Sequence, residues 1–372
     1  MKVVFFVHAV ASCWNNGNAH FLRGVVTALQ EKGHEVVLHE PAGAWSRENL
    51  IADHGVAALE RYARTFPHIQ PALYAGDPDL IELTEGADLV IVHEWNEPDL
   101  VNRLGRMRAN GAPFVLLFHD THHRAATVPD EMARFDLSGY DGVLAFGAAI
   151  GEIYEERGWA RRVWTWHEAA DTSIFYPRQA GEIAGDLVWV GNWGDEERSD
   201  ELREFLLEPS SALALTTHIY GVRYPQYARD ELKQHGIEYR GFLPNYDAPD
   251  AFARHRFTVH VPRRPYARAL PGIPTIRVFE ALACGIPLIS APWEDTEQLF
   301  PAGSYLRVNS GEEMRRAMRA VLDDEDLAAS LRETGLKAVL NGHTCRDRVD
   351  QLLEIYSTLA PRTGAQRMQE AV

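Results

Sequence analysis

Three observations predict an α/β protein made of two Rossmann-like, doubly wound domains. Short, continuously apolar runs alternate with amphipathic stretches from the N-terminus onward, and the alternation restarts near residue 185. A chain of 372 residues with 46% hydrophobic content can supply a core for each of two ordinary domains. Strands that are apolar throughout suit a parallel sheet covered by helices on both faces.

The first run, Val3–Val7, is much too short to span a bilayer, and no cleavable signal pattern follows it. The segment HAVASCWNNGNAHFLRG then leads into a helix and places Gly17, Asn18 and His20 where a doubly wound sheet opens its crevice. This is read as an acceptor or phosphate loop, with an ordinary connection as the alternative. It carries neither GxGxxG nor a Walker lysine, which argues against a dinucleotide and against ATP.

HEVVLHE, ADLVIVHE, APFVLLFH and DGVLAFG continue the series. Two strand ends bear reactive side chains: His93, Glu94 and Asn96 in VIVHEWNEP, and His119, Asp120, His122, His123 and Arg124 in LLFHDTHHRA. A neutral histidine or a carboxylate can take a proton from a hydroxyl, and an adjacent aspartate can fix the tautomer. His119 and Asp120 are therefore expected to be catalytic, with His93, Glu94 and His122 as cleft or acceptor contacts. Arg161–Pro177 closes the series as a strand and an extended connection, in which His167 and Glu168 either contact a ligand or hold the domains together.

The second series begins at LVWVGNW. Gly191 permits close backbone approach, Asn192 follows it, and the turn can present N–H groups to phosphate. A helix is expected over 195–207 and strands near 212–220, 237–241 and 257–261. Next comes a basic cluster, Arg263, Arg264 and Arg268, whose guanidinium forks match phosphate oxygens. In GIPTIRVFEALACGIPLI, Pro274 suits a first helical position, so the helix begins near Thr275. Ile276, Phe279 and Ala283 face the core, and Gly285 with Pro287 stops the helix before a strand over 287–290. The free N–H groups of the first turn, together with the Thr275 hydroxyl, form an anion site fit for a pyrophosphate. Arg277 and Glu280 share a face one turn beyond, within reach of ribose hydroxyls. A helical, acidic region over 311–360 completes the chain, and the acidic triplets at 77–79 and 324–326 read as solvated surface.

Lys and Arg number 37 against 53 Asp and Glu, a net charge of -16 that argues against a general nucleic-acid surface. Cys13, Cys284 and Cys345 have neither disulfide-framework nor metal-ligand spacing, which fits a reducing cytoplasm. Peripheral membrane contact and oligomeric state stay open.

RVFEALACGIP resembles the donor-site signature of the GT-B glycosyltransferases, most closely the branch related to the spore maturation protein CgeB. The GNW turn, GVRY, RGFLPN and the arginine segment follow the family's order; GNAHFLRGVVTALQEKGHEV and LFHDTHHRA are the similar pieces of the first half. The resemblance implies that Glu280 binds the ribose, that Tyr220 with Gly221 and Phe242 with Leu243 border the nucleobase, and that no metal or other cofactor is required. It implies an acceptor domain over 1–170, a donor domain over 171–344, and a C-terminal helix, about 345–372, packing back on the first. The implied activity is transfer of a sugar, hexosyl by analogy, from a nucleoside-diphosphate sugar to an acceptor hydroxyl in glycan or glycoconjugate synthesis. A nucleotide-sugar epimerase or hydrolase is the nearest alternative, and a non-catalytic nucleotide-sugar-binding protein the more distant one. Gly272 stands where common retaining members carry a second glutamate, so the anomeric outcome is left open.

Overall fold

The computed structural model describes residues 1–179 and 181–360. Its first sheet contains β1 (Lys2–Phe6), β2 (Glu35–Pro41), β3 (Ala72–Tyr74), β4 (Leu89–His93), β5 (Val115–Asp120), β6 (Gly142–Ala145) and β7 (Val163–Thr165). The strand order is β3-β2-β1-β4-β5-β6-β7 and every pairing is parallel. The second sheet contains β8 (Gly185–Val190), β9 (Thr217–Tyr220), β10 (Glu238–Tyr239), β11 (His255–His260), β12 (Leu288–Ser290) and β13 (Leu306–Arg307). Its order is β10-β9-β8-β11-β12-β13, again all parallel. Both sheets reverse direction of growth at one place, between β1 and β4 and between β8 and β11. Crevices at such switch points are where open α/β sheets bind ligands.

The period of two along each strand distributes the core. Val3 and Phe5 of β1 pack on the face shared with the Asn18–Glu31 helix, while Val4 and Phe6 join Val90, Leu116 and Phe118 on the other. The first of these clusters does not stop at the domain boundary. It continues through Trp166 and Phe175 to Ile276, Phe279 and Leu282 of the second domain, so the cleft walls are held by a shared core.

The Cys345–Leu359 helix is capped by Thr344 and Asp347 in a reciprocal capping box. It returns to the first domain and packs on the Asn18–Glu31 helix, with ion pairs Arg346–Glu31 (2.8 Å) and Lys32–Asp350 (2.7 Å) at the rim. Gly24 makes the approach possible, since a Cβ there would lie 2.4 Å from the Cys345 sulfur. The part of the expected terminal helix beyond residue 360 lies outside the described residues. Among the described residues, no helix is long and apolar enough to cross a membrane.

One expected element is displaced. The helix read over 195–207 starts at Ser199, because Asp195 and Glu196 take left-handed backbone (φ 50° and 70°). It runs through a π turn, Arg203–Leu207, into Glu208–Ala212, and so β9 begins at Thr217 rather than near 212. Buried Leu202, Phe205, Leu206 and Leu207 carry the helix through that region.

A candidate anion-binding cleft between the domains

The Ile276–Ala283 helix presents Thr275 as its N-cap, with no side chain closing the first turn, and Gly285 (φ 64°) ends it. Its start opens on a cleft of about 570 Å³. Facing it from the first domain are Asn15, Asn16, Gly17 and Asn18 of the loop after β1 and Thr121, His122 and His123 just past β5. From the second domain come Gly191 and Asn192 after β8, Gly221 and Val222 after β9, and Phe242 and Leu243. A Cβ on Gly221 would meet the Gly191 carbonyl oxygen at 1.9 Å, so the two strand ends touch backbone to backbone at the cleft floor.

Three guanidiniums converge here. Arg263 donates to Glu197 (3.1 Å) and to the Asn192 side-chain oxygen (3.2 Å). Arg277 pairs with Glu280. Arg198 donates to the Asn192 carbonyl (2.7 Å), the Asn192 side-chain oxygen (2.9 Å) and the Val261 carbonyl (3.0 Å), and lies over the Trp189 ring. Unlike the other two, Arg198 forms no ion pair with a described residue, and its Nε is buried without a partner. Burial, and then the like charges of Arg263 and Arg277, push its pKa down to about 9. A cation destabilised in this way is matched by an anion, and the cleft is where one fits.

Several expected site residues do not reach that surface. Glu280 is fully buried and both carboxylate oxygens are engaged, one by Arg277 and the other by His20 Nδ1 at 2.7 Å. His20 is likewise buried: its Nε2 accepts the Asp171 N–H (2.8 Å), which leaves Nδ1 as the donor to Glu280. This pair joins the first domain to the Ile276–Ala283 helix. Arg264 points to the outer face, held by Glu201 (2.7 Å) and Asp200 (3.0 Å). Tyr220 packs against the core and its hydroxyl accepts from Arg240 (3.2 Å). Of the residues expected to border a base, Phe242 and Leu243 line the cleft, and Val222 lies on the same wall.

The pair expected to be catalytic lies behind the cleft surface. His119 and Asp120 are still within β5, paired with Leu144 and Ala145 of β6, and both are fully buried. Burial holds His119 neutral, its pKa down to about 3, and neither ring nitrogen has a partner among the described residues. Burial and then the nearby Glu94 raise Asp120 well above the carboxylate range; it accepts from the Tyr154 hydroxyl (2.8 Å) and the His122 N–H (3.0 Å). His93 is buried beside it, bonded to Thr121 (3.0 Å). Glu94 pairs with Arg124 (2.6 Å) and backs a second groove. Past β5 the chain reaches the cleft at Thr121, His122 and His123. Burial holds the His122 imidazole neutral, and its buried Nδ1 makes no hydrogen bond to a described residue.

Arg198 is not distinguished in the sequence, where it falls inside the stretch 195–207 read as a helix and directly after three acidic residues. The sequence leaves Glu168 undecided. That carboxyl lines the cleft, is 8% exposed and accepts from Asn18 (3.3 Å). The carboxylate nearest to position 272 in space belongs to Glu297, but it is engaged by His167 (3.0 Å) and the Ala148 N–H (3.0 Å). Among the described residues, no three His, Cys, Asp or Glu side chains gather as a metal site.

Residues 198–354, less than half of the chain, match a protein-family model described as glycosyl transferase-like. No curated protein matches the sequence. Solved structures similar to nearly the whole chain include sucrose-phosphate synthase (tll1590) from Thermosynechococcus elongatus, 16% identical with a TM-score of 0.63, covering 96% of this chain and 99% of that one. A glycosyltransferase from Rickettsia africae ESF-5 is 12% identical with a TM-score of 0.66 over 97% and 99%. Anabaena Alr3699/HepE in complex with UDP-glucose is 13% identical with a TM-score of 0.66 over 96% and 100%. The fold is GT-B: two Rossmann-like, parallel-stranded α/β domains facing one cleft.

Proposed function

We propose that the protein is a glycosyltransferase that binds a nucleoside-diphosphate sugar in this cleft and passes the glycosyl group, a hexosyl, to an acceptor hydroxyl. The observation that carries the reading is the convergence of Arg198, Arg263 and Arg277 at an open helix start, in a chain of net charge -16. The base lies against Val222, Phe242 and Leu243. The diphosphate lies among the three arginines, under the Gly17–Asn18 turn.

The glycosyl C–O bond to the diphosphate breaks as the acceptor oxygen bonds to the anomeric carbon. Arginines placed where charge develops on the leaving oxygen stabilise that step without a metal. The acceptor proton passes to a neutral group at the acceptor side, for which His122 replaces the buried His119 and Asp120. A second groove, about 830 Å³, shares His8, Trp45 and Trp95 with the cleft and gives the acceptor its own approach through the first domain. Its aromatic faces beside carboxylates suit a hydroxyl-rich acceptor, consistent with glycan or glycoconjugate synthesis on the cytoplasmic side.

Incubation with UDP-, GDP- and dTDP-sugars, with and without saccharide acceptors, tests the reading. Acceptor-dependent release of the nucleoside diphosphate, unchanged by EDTA, is expected. Equal release without acceptor would make the protein a hydrolase, and no release with any donor would remove the enzymatic reading.

A further inference from the structure

Among the described residues Glu168 has no cationic partner at contact distance, although it forms part of the cleft wall. It belongs to the connection between the domains, and every element packed against it supplies a named group. The Asn18–Glu31 helix brings Asn18, whose amide donates to Oε1 at 3.3 Å, with His20 two residues further. The Ile276–Ala283 helix sets its first turn beside the carboxyl in the cleft wall and brings Glu280 and Arg277. Tyr266 and Cys345 complete the surroundings. Arg277 is bound to Glu280, so its charge is already compensated. His167, next along the chain, turns away to the Phe146 carbonyl (2.9 Å) and Glu297 (3.0 Å).

The Glu168 carboxyl thus borders the helix start that a phosphate oxygen would use, on the wall of the same cleft. An ionised carboxylate and a diphosphate cannot share that place without strong repulsion, whereas a protonated carboxyl can accept the Asn18 N–H and donate its own hydrogen. We propose that Glu168 is retained as a neutral acid that donates a hydrogen bond to the diphosphate of the bound donor, so that binding requires its proton. The inference rests on the diphosphate reading of the cleft. Burial is the largest influence on this carboxyl and Glu280 adds to it, together raising its pKa to about 8. Glu168 is therefore mostly protonated at pH 7 and mostly ionised at pH 9, and affinity must fall as pH rises between them.

Calorimetric titration with UDP, or with GDP or dTDP where one of these binds more tightly, tests the proposal from pH 7 to pH 9. The diphosphate stays fully ionised over this range, since its last phosphate pKa is about 6. The wild-type affinity is expected to fall about tenfold, as the protonated fraction of a group titrating near 8 does. Arg198 begins to lose charge near pH 9, and the Glu168→Gln variant separates the two groups. Its amide donates at every pH, so its affinity stays within about threefold of wild type at pH 7 and is flat to pH 8.5. Glu168→Ala loses the donor and binds about tenfold more weakly at pH 7. A measurement on the wild-type protein alone is independent of variant folding: titrations at pH 8.5 in two buffers of different ionisation enthalpy should show proton uptake on binding. A flat wild-type profile without proton uptake, or a Gln variant that keeps the slope, overturns the role of Glu168 while leaving the cleft assignment intact. Absence of binding by every nucleoside diphosphate at pH 7 overturns both.

Discussion

Replacing Arg198 with methionine should weaken nucleoside-diphosphate binding by about 30- to 1,000-fold, the equivalent of roughly 2–4 kcal/mol for a desolvated charge–charge contact. Arg198 is already oriented: its guanidinium is fixed by Asn192 and the Val261 carbonyl and rests on Trp189, so no side-chain ordering opposes binding. The same substitution should leave thermal stability nearly unchanged. Without an anion, Arg198 is a half-buried charge beside two like charges, and losing it relieves repulsion while stranding the Asn192 and Val261 acceptors. Opposite outcomes for ligand affinity and for stability identify a functional cation. A large loss of stability with unchanged affinity would mark Arg198 as structural. Isothermal titration with differential scanning calorimetry of the same preparation provides both numbers.

The largest loss of stability is expected from Glu280→Ala. The carboxylate is fully buried and bridges His20 on one domain to Arg277 on the other, so its removal leaves a buried imidazole N–H and a guanidinium without partners. Breaking a wholly buried pair costs about 3–5 kcal/mol. Arg277 can turn part of its charge to the cleft, so about 2–4 kcal/mol is expected here. Glu280→Gln keeps an acceptor for His20 and opposes Arg277 only with its amide; it should cost roughly half as much. Urea unfolding of both variants checks the order Ala below Gln below wild type. The Ala variant should also bind nucleoside diphosphates more weakly, because Arg277 loses the carboxylate that aims it. Wild-type stability in Glu280→Ala would contradict the bridging role.

The parallel architecture was legible because buried parallel strands are apolar on both faces, and the runs from Val3 to Val7 and from Leu187 to Val190 have no other stable use. The helix start at Thr275 was legible from Pro274 and Gly285. Side-chain direction was harder. Glu280 lies four residues after Ile276, which places it on the buried stripe of its helix as readily as beside Arg277, and the first domain supplied His20 as the deciding partner. His119 and Asp120 were credited with a strand end that comes later, since β5 keeps its pairing with β6 through Asp120. Arg198 follows three acidic residues, Asp195 to Glu197, inside a stretch that reads as one helix, yet the left-handed turn at Asp195 and Glu196 swings it into the cleft. Glu168 gains its environment only when Asn18, Ile276 and Glu280 close around it, a contact among three distant segments.

The account stands on the cleft being a diphosphate site. Titration of UDP, GDP, dTDP and ADP into the wild-type protein at pH 7 tests this most directly. One nucleoside diphosphate should bind with one-to-one stoichiometry and a dissociation constant on the order of micromolar, with loss of that binding in Arg198→Met. If all four bind no more tightly than about millimolar, or if Arg198→Met binds as well as wild type, the arginines serve some other purpose and the assignment fails.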